Sequence, residues 1–243
     1  MEATVTGPES GDAFGQALLD LTAGSAGSAV IERDDGWVSA EGLDYLEAPD
    51  GPDLWAVDRA VGRVLDIGAG AGRASLLLQD RGQEVLALDT SPGAARVCRQ
   101  RGVREVYCGS VRQAVADGMA ASFDSALLIG NNLSLFGSPE QAIPFLAALA
   151  DLLRPGGVIA GTCLDPSGTT KRVHLDYHER NRRQGRPAGQ LSFRVRYERL
   201  ASDWFDWLLM SPAELAEIAP PAGWQLTEVH PSGARYAAVL KRL

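Results

Sequence analysis

The chain has 243 residues, 45% of them apolar and 22% charged, with a formal net charge of −8. Such a length and balance suit one large folded domain with an insertion and exclude a disordered chain, while the negative charge disfavours non-specific nucleic-acid binding. The longest apolar runs, such as residues 126–129 and 158–160, are far too short to span a bilayer.

Three scattered cysteines, Cys98, Cys108 and Cys163, form neither a CxxC pair nor an even disulfide framework. They read as small buried hydrophobes in a reducing compartment. Met1 and Glu2 open the sequence without the basic and apolar segments of an export signal, so a cytoplasmic setting is expected.

In chain order, a loose start precedes an amphipathic stretch at residues 14–21 and extended chain around an Asp35-Gly36 turn, together an N-terminal cap over residues 1–51. From Gly62 onward, apolar runs at 63–67, 84–88, 104–107, 123–129 and 157–163 alternate with helical patterns. Runs without polar alternation suit strands buried on both faces of a parallel sheet. Ser91-Pro92, Ser138-Pro139 and Ser211-Pro212 each place a capping hydroxyl before a proline fit for the first helical turn. Ser211 and Glu214 have the spacing of a capping box. The helix after Ser138 stops where 154–157 read Arg-Pro-Gly-Gly.

Residues 166–210 break the rhythm with a helical stretch and hairpin patterning, "LSFRVRYERL" followed by "DWFDWLLM", and the chain closes with a strand pair at 224–229 and 234–241. The predicted fold is α/β: a doubly wound Rossmann-like core of 52–165 plus 211–243, capped by residues 1–51 and by a helix-hairpin lid at 166–210.

"VLDIGAGAG", residues 64–72, carries Gly68, Gly70 and Gly72 as GxGxG. Glycines let a strand turn tightly into a helix and let a ligand approach the backbone. The dinucleotide fingerprint asks for GxGxxG, and Arg73 stands where its last glycine would be, so an NAD oxidoreductase ranks last. Asp89 ends the second strand about 20 residues later, where a carboxylate in such folds accepts ribose hydroxyls. An adenosine-bearing cofactor follows; a plain strand-to-helix corner and a plain helix cap are the competing readings of the turn and of Asp89.

These segments resemble the class I S-adenosylmethionine-dependent methyltransferases. "VLDIGAGAG" is similar to their first motif, "VLALDTSP" to the second-strand acid and helix start, "FDSALLIGNNL" to the fourth strand and "LLRPGGVIAGT" to the fifth. The resemblance implies a seven-stranded sheet, parallel except for a reversed last strand, with S-adenosylmethionine as cofactor. It places Asp66, Gly68, Gly70 and Gly72 along the methionine part and Asp89 with Thr90 at the ribose. Where relatives often carry an acid near adenine this chain reads "CGSV", which leaves Ser110 and Val111 to serve.

Position at the carboxyl ends of the strands selects the remaining candidates. Asn131 is expected beside the cofactor and the reacting centre, with Asn132 and Asp165 toward the substrate. Asn131-Asn132-Leu133-Ser134 lacks the Pro-Pro-aromatic sequence of enzymes that methylate base amino groups. The stretch 166–200 holds nine lysines and arginines against three acids, a net +6. Such a field would attract a carboxylate- or phosphate-bearing small molecule, with Tyr177, Arg194 and Arg196 as contacts, unless the arginines face water. His174 and His178 lie four apart, on one face of a helix, and "HLDYH" lacks the Glu of a zinc HExxH. They are expected as general bases, not metal ligands. Trp204, Phe205 and Trp207 are expected mainly to pack the hairpin.

The expected activity is methyl transfer to a small acceptor by in-line displacement. Cyclisation or elimination on the same cofactor, and a non-catalytic adenosyl-ligand module, stay open beside it.

Overall fold

A computed structural model describes residues 8–25, 29–41 and 44–243. The chain begins with β1 (Glu9–Ser10), α1 (Ala13–Thr22), β2 (Ala29–Arg33) and β3 (Val38–Glu41). Helix α2 (Gly51–Val57) then leads into the alternation β4 (Val64–Ile67), α3 (Arg73–Asp80), β5 (Val85–Asp89), α4 (Pro92–Arg101), β6 (Glu105–Cys108) and α5 (Val111–Ala116). It continues through β7 (Phe123–Leu128), α6 (Pro139–Leu152) and β8 (Leu153–Leu164). The insert supplies α7 (Arg172–Arg183), β9 (Gln190–Tyr197), β10 (Leu200–Ala201) and β11 (Phe205–Leu208). The last elements are α8 (Pro212–Ile218), β12 (Trp224–Ser232) and β13 (Arg235–Arg242).

Among the described residues the strands form two sheets. The larger has seven, in the order β12-β13-β8-β7-β4-β5-β6. Strands β8, β7, β4, β5 and β6 pair in parallel, and β13 runs antiparallel to both of its neighbours, so the reversed strand is the last. Strands β4 and β5 are buried at every position, as a sheet covered on both faces requires. The three serine caps form as their sequence predicts: Ser91, Ser138 and Ser211 accept from the amides of Ala94, Gln141 and Glu214.

The core lies between this sheet and its helices, with Phe123, Leu146 and Leu149 fully buried beside Trp224, whose indole N–H donates to the Leu146 carbonyl at 3.1 Å. Cys98 and Cys163 are buried there, whereas Cys108, at the end of edge strand β6, is exposed. The expectation of three buried cysteines fails at that edge.

The smaller sheet corrects the sequence reading more substantially. Strands β2 and β3 form the predicted hairpin, with the Gly36 amide donating to the Arg33 carbonyl. Strand β2 also pairs with β9, 162 residues away at Glu32 and Arg194, and β11 and β10 complete β9's other contacts. N-terminal cap and insert are therefore one continuous sheet over the core. Residues 9–10 pair in parallel with β10 and are not loose; the rest of the expected loose start, residues 1–7, lies outside the described residues.

Gly72 shows how tightly the core's turn is set. Its φ of +76° is left-handed, and a Cβ there would sit 2.7 Å from Val103 Cγ2 and 3.1 Å from Cys98 Sγ. Gly72→Ala should therefore lose roughly 1–3 kcal/mol of stability, measured by urea unfolding, from backbone strain and overpacking together.

Candidate active site

One cavity of about 1350 Å³ opens at the carboxyl ends of the parallel strands and is roofed by the smaller sheet. Its floor is the strand-to-helix turn after β4. Gly68 and Gly70 line it with φ of +67° and +56°. A Cβ on Gly68 would meet Asn132 Nδ2 at 2.5 Å. Gly72 lies outside the cavity lining, and its glycine is required by the packing just described.

Three carboxyl or amide groups surround this turn. Asp66 ends inside the sheet and accepts the Ser75 hydroxyl at 2.7 Å. Burial pushes it up to about 6, against the Ser75 hydrogen bonds and the Arg73 charge. Asp89 accepts the Gly70 amide on one carboxylate oxygen and the Ser91 amide on the other, each at 2.9 Å. Burial likewise raises it, and those amides act in the opposite direction. Asp89 thus both braces the glycine turn and caps the approach to α4, and it lines the cavity with acceptor capacity to spare on each oxygen. Asn131, in left-handed backbone at φ +69°, also lines the cavity, and its buried Oδ1 has no hydrogen-bond partner.

Asn132 lines the cavity while its amide donates to the Ile67 and Gly68 carbonyls at 2.9 and 3.0 Å, holding the turn open. Thr90, Ser110 and Val111 sit on the wall beside Asp89, and Ser110 also caps α5 in a capping box with Gln113. These residues, gathered from the ends of β4, β5, β6 and β7, fit an adenosyl ligand: acceptors for hydroxyls, an apolar side chain, and backbone free of Cβ atoms where it must come close.

The opposite wall comes from the cap and insert. Leu191, Phe193 and Val195 of β9 face inward with Phe205 and Trp207 of β11, and the Phe193 and Phe205 rings lie 4.4 Å apart between centroids. Trp204 also lines the cavity. The hairpin's aromatics therefore pack on one another as expected, with Phe205 also against the cluster around Val195 and Tyr197, and they bound the ligand space as well. His174 and His178 of α7, and Lys171 just before it, line the cavity. His174 Nδ1 lies 3.2 Å from an Arg33 amino group, and His178 is 5% exposed. Burial lowers both imidazoles below the ordinary histidine range, helped by the nearby arginines and, for His174, Lys171.

Four residues expected against substrate do not line this cavity. Arg194 and Arg196 alternate with the inward apolar residues of β9, so they point to the other face and pair with Glu32 at 3.0 and 3.3 Å. Tyr177 donates to Asp34 at 2.7 Å between the Arg33 and Arg180 guanidiniums. Asp165 accepts the Ser167 amide and caps a short turn. Of the insert's nine cations, Lys171 alone lines the cavity; Arg172, Arg180, Arg182, Arg183 and Arg199 pair with acids elsewhere on the surface.

Sequence reading also passes over Asp53 of α2. Its carboxylate, 2% exposed, takes Arg73 and Arg235, the Thr162 hydroxyl at 2.7 Å and the Gly130 amide at 3.0 Å. Burial drives it up, but those bonds and both guanidiniums outweigh burial and hold it below the usual carboxylate range. An acid in a short helix gives no local sign of partners on four other segments.

A Rossmann-like sheet with an acid ending β5 beside a glycine turn defines an α/β protein that binds an adenosine cofactor. Comparison with known proteins narrows this class. Residues 64–157 match the family model described as "Methyltransferase domain". A cypemycin N-terminal methyltransferase from Streptomyces is 33% identical over 107 residues, 43% of this chain and 42% of that protein. A ubiquinone biosynthesis O-methyltransferase from Xanthomonas oryzae is 28% identical over 164 residues, 63% and 62% respectively. The chain thus covers less than two thirds of each of these curated relatives. A solved S-adenosylmethionine-dependent methyltransferase from Bacteroides fragilis, in complex with S-adenosylhomocysteine, superposes with a TM-score of 0.80 at 26% identity, over 95% of this chain and 94% of that one. Residues 64–157 thus carry a methyltransferase domain, in a fold that superposes along nearly its whole length on a solved S-adenosylmethionine-dependent methyltransferase.

Two substitutions check the electrostatics. Asp53→Ala should cost roughly 2–4 kcal/mol in urea unfolding, since it strands Arg73 and Arg235, with part of the loss recovered by water at the one-third-exposed Arg235. For Asp66 the folded protein holds its proton more tightly than the unfolded chain, whose value is 3.8. Its contribution to stability therefore falls as pH rises from about 4 to about 6. Asp66→Asn should remove that fall, gaining roughly 1–3 kcal/mol on wild type at pH 7.5 relative to pH 4.

Proposed function

We propose that this chain transfers the methyl group of S-adenosylmethionine to a small-molecule acceptor by in-line displacement. The observation that carries the reading is the single cavity joining the glycine turn and Asp89 to an aromatic wall bearing His174 and His178. Its volume, about 1350 Å³, exceeds the roughly 300–1,000 Å³ of a typical one-ligand pocket and leaves room for cofactor and acceptor together.

When bound, the sulfonium supplies an already activated methyl group. The chain's residues then have three tasks: holding the reactants in line, excluding water and, for some acceptors, taking up a proton. Asp66, Gly68 and Gly70 would hold the methionine part, Asp89 and Thr90 the ribose, and Ser110 and Val111 the adenine. Asn131, its buried Oδ1 free of protein partners, would meet the ligand near the reacting centre. His174 and His178 are both lowered below the usual histidine range, which favours the neutral rings, and His178 is the one able to accept a proton, since Arg33 already occupies His174 Nδ1.

Most of the acceptor's surface would meet the apolar and aromatic side chains of β9 and β11, and a carboxylate or phosphate on it would find Lys171. Catalysis is favoured over a non-catalytic adenosyl-binding module by the two imidazoles on the acceptor wall, which ligand storage would not need. Among the described residues no helix is long and apolar enough to cross a membrane, and the three cysteines are free of disulfides. Such chemistry suits the reducing cytoplasm, where we place the protein.

Calorimetry tests this directly. S-adenosylhomocysteine should bind and NAD should not. Asp89→Ala should weaken S-adenosylhomocysteine by roughly 1–3 kcal/mol, about 5- to 150-fold, with folding checked by circular dichroism. Tight binding of NAD in place of S-adenosylhomocysteine, or unchanged affinity in a folded Asp89→Ala, would count against the reading.

A further inference from the structure

The two imidazoles on the acceptor wall differ in what already occupies them. An arginine has only donors, so the Arg33 amino group 3.2 Å from His174 Nδ1 donates to it. The neutral ring then carries its hydrogen on Nε2. Arg33 is itself fixed by a two-point contact with Asp35, 2.8 and 2.7 Å, and by the Val173 carbonyl, and Trp37 packs edge-on against the His174 ring at 4.9 Å. His174 is therefore locked as an N–H donor, its basic nitrogen already used.

His178 is the opposite case. It is 5% exposed and lines the cavity, and among the described residues no group hydrogen-bonds to its ring. Its ring nitrogens are not among the fully buried unpaired polar atoms, so they open onto the cavity and are free to take a ligand's hydrogen bond. Burial first, and then the Arg182 and Arg33 guanidiniums, disfavour its protonated form, so the ring waits as an acceptor.

The same cavity is lined by a cluster of aromatic side chains. Phe193, Phe205 and Trp207 contact one another at centroid distances of 4.4 to 6.3 Å, with interplanar angles of 58° to 71°. Tilted rings of this kind present edges and faces to a flat guest, whereas an aliphatic guest gains only contact area.

From these observations we infer that the acceptor is a planar aromatic hydroxyl compound, its ring against Phe193 and Trp207 and its O–H donated to His178. The inference rests on the methyltransferase reading above and names the acceptor class of the same site. A neutral amine attacks through its lone pair and needs no base before transfer. A phenol is a weak nucleophile until it yields its proton, which gives a partnerless buried imidazole a task. In the step, the phenolic oxygen forms its bond to the methyl carbon as the carbon–sulfur bond of S-adenosylmethionine breaks. The electron pair of that bond leaves with sulfur, and the hydroxyl proton passes to His178. His174 Nε2–H is left to donate to a second oxygen on the ring.

The test is binding of phenol, anisole, aniline and cyclohexanol to the full chain loaded with S-adenosylhomocysteine, followed by calorimetry. Phenol should bind at least tenfold tighter than anisole, which lacks the donor, and than cyclohexanol, which lacks the flat ring. Aniline should fall below phenol. His178→Leu should erase the preference for phenol over anisole, while His174→Leu leaves it. Anisole, aniline or cyclohexanol matching phenol in the wild-type protein would overturn the inference, and so would a phenol preference that survives His178→Leu. Should that variant not fold, the wild-type ranking decides. Binding of S-adenosylhomocysteine without binding of phenol would remove the acceptor class and leave the methyltransferase reading standing; loss of S-adenosylhomocysteine binding would remove both.

Discussion

The buried carboxylate of Asp53 is the constraint on which the site depends. A charge taken out of water survives only with close, well-directed partners, and Asp53 draws them from Arg73 at the start of α3, Gly130 after β7, Thr162 of β8 and Arg235 at the start of β13. These are the segments whose ends form one side of the cavity. Replacing the network with apolar side chains could match its stability, since buried ion pairs contribute little net. It could not match its directionality: four donors converging on two oxygens fix where four strand and helix ends stop. The Gly130 amide held this way positions Asn131 next to it, and the Thr162 hydroxyl that donates to Asp53 accepts the Asn131 amide at 3.1 Å.

A second carboxylate performs the same task at the other side. Asp12 caps α1 through the Gly15 amide and also accepts the Ser91 hydroxyl and the Gly93 amide, at 2.8 to 2.9 Å. It joins the first helix of the cap to the start of α4, directly after Asp89. Close approach is possible because Gly93 and Gly15 face each other; a Cβ on Gly93 would lie 2.5 Å from Gly15 Cα. The Arg101 guanidinium adds a tie, donating to the carbonyls of Ala71 and Leu46. Cap and cofactor turn are thus one polar assembly, and the roof over the reacting centre stays in place because it is bonded to the same residues that shape the floor.

The legibility of the sequence follows the range of the interactions. Strands β4 to β8 and their helices were readable because each transition is written locally: an apolar run, a glycine or serine-proline start, a proline-glycine stop. The glycine turn and Asp89 were readable for the same reason, lying about 20 residues apart across one strand-helix-strand unit. The union of β2 with β9 was not, because alternation along "LSFRVRYERL" shows that a strand has two faces without naming its neighbour. Asp53 was not, since Arg235 is 182 residues away. Gly72 was misread in role for a related reason: one spacing rule covers three glycines, while only tertiary packing tells which of them faces the ligand and which must avoid Val103.

The basic insert follows from the same argument. Nine cations concentrated beside a cofactor site looked like a trap for an anion, yet in β9 a period of two puts Arg194 and Arg196 on one face and Leu191, Phe193 and Val195 on the other. Only one of these faces can be the cavity wall. The apolar face takes it, because burying aromatic surface is favourable whereas burying two unpaired guanidiniums is costly. The arginines then spend their charge on Glu32 and Asp34 of the opposing β2-β3 hairpin, linking cap to insert with charge-assisted bonds. What was legible as an electrostatic attraction toward a ligand is an attraction between two parts of the roof. The density of charge in a sequence tells how strongly a segment must be paired, and the period of the strand decides with what.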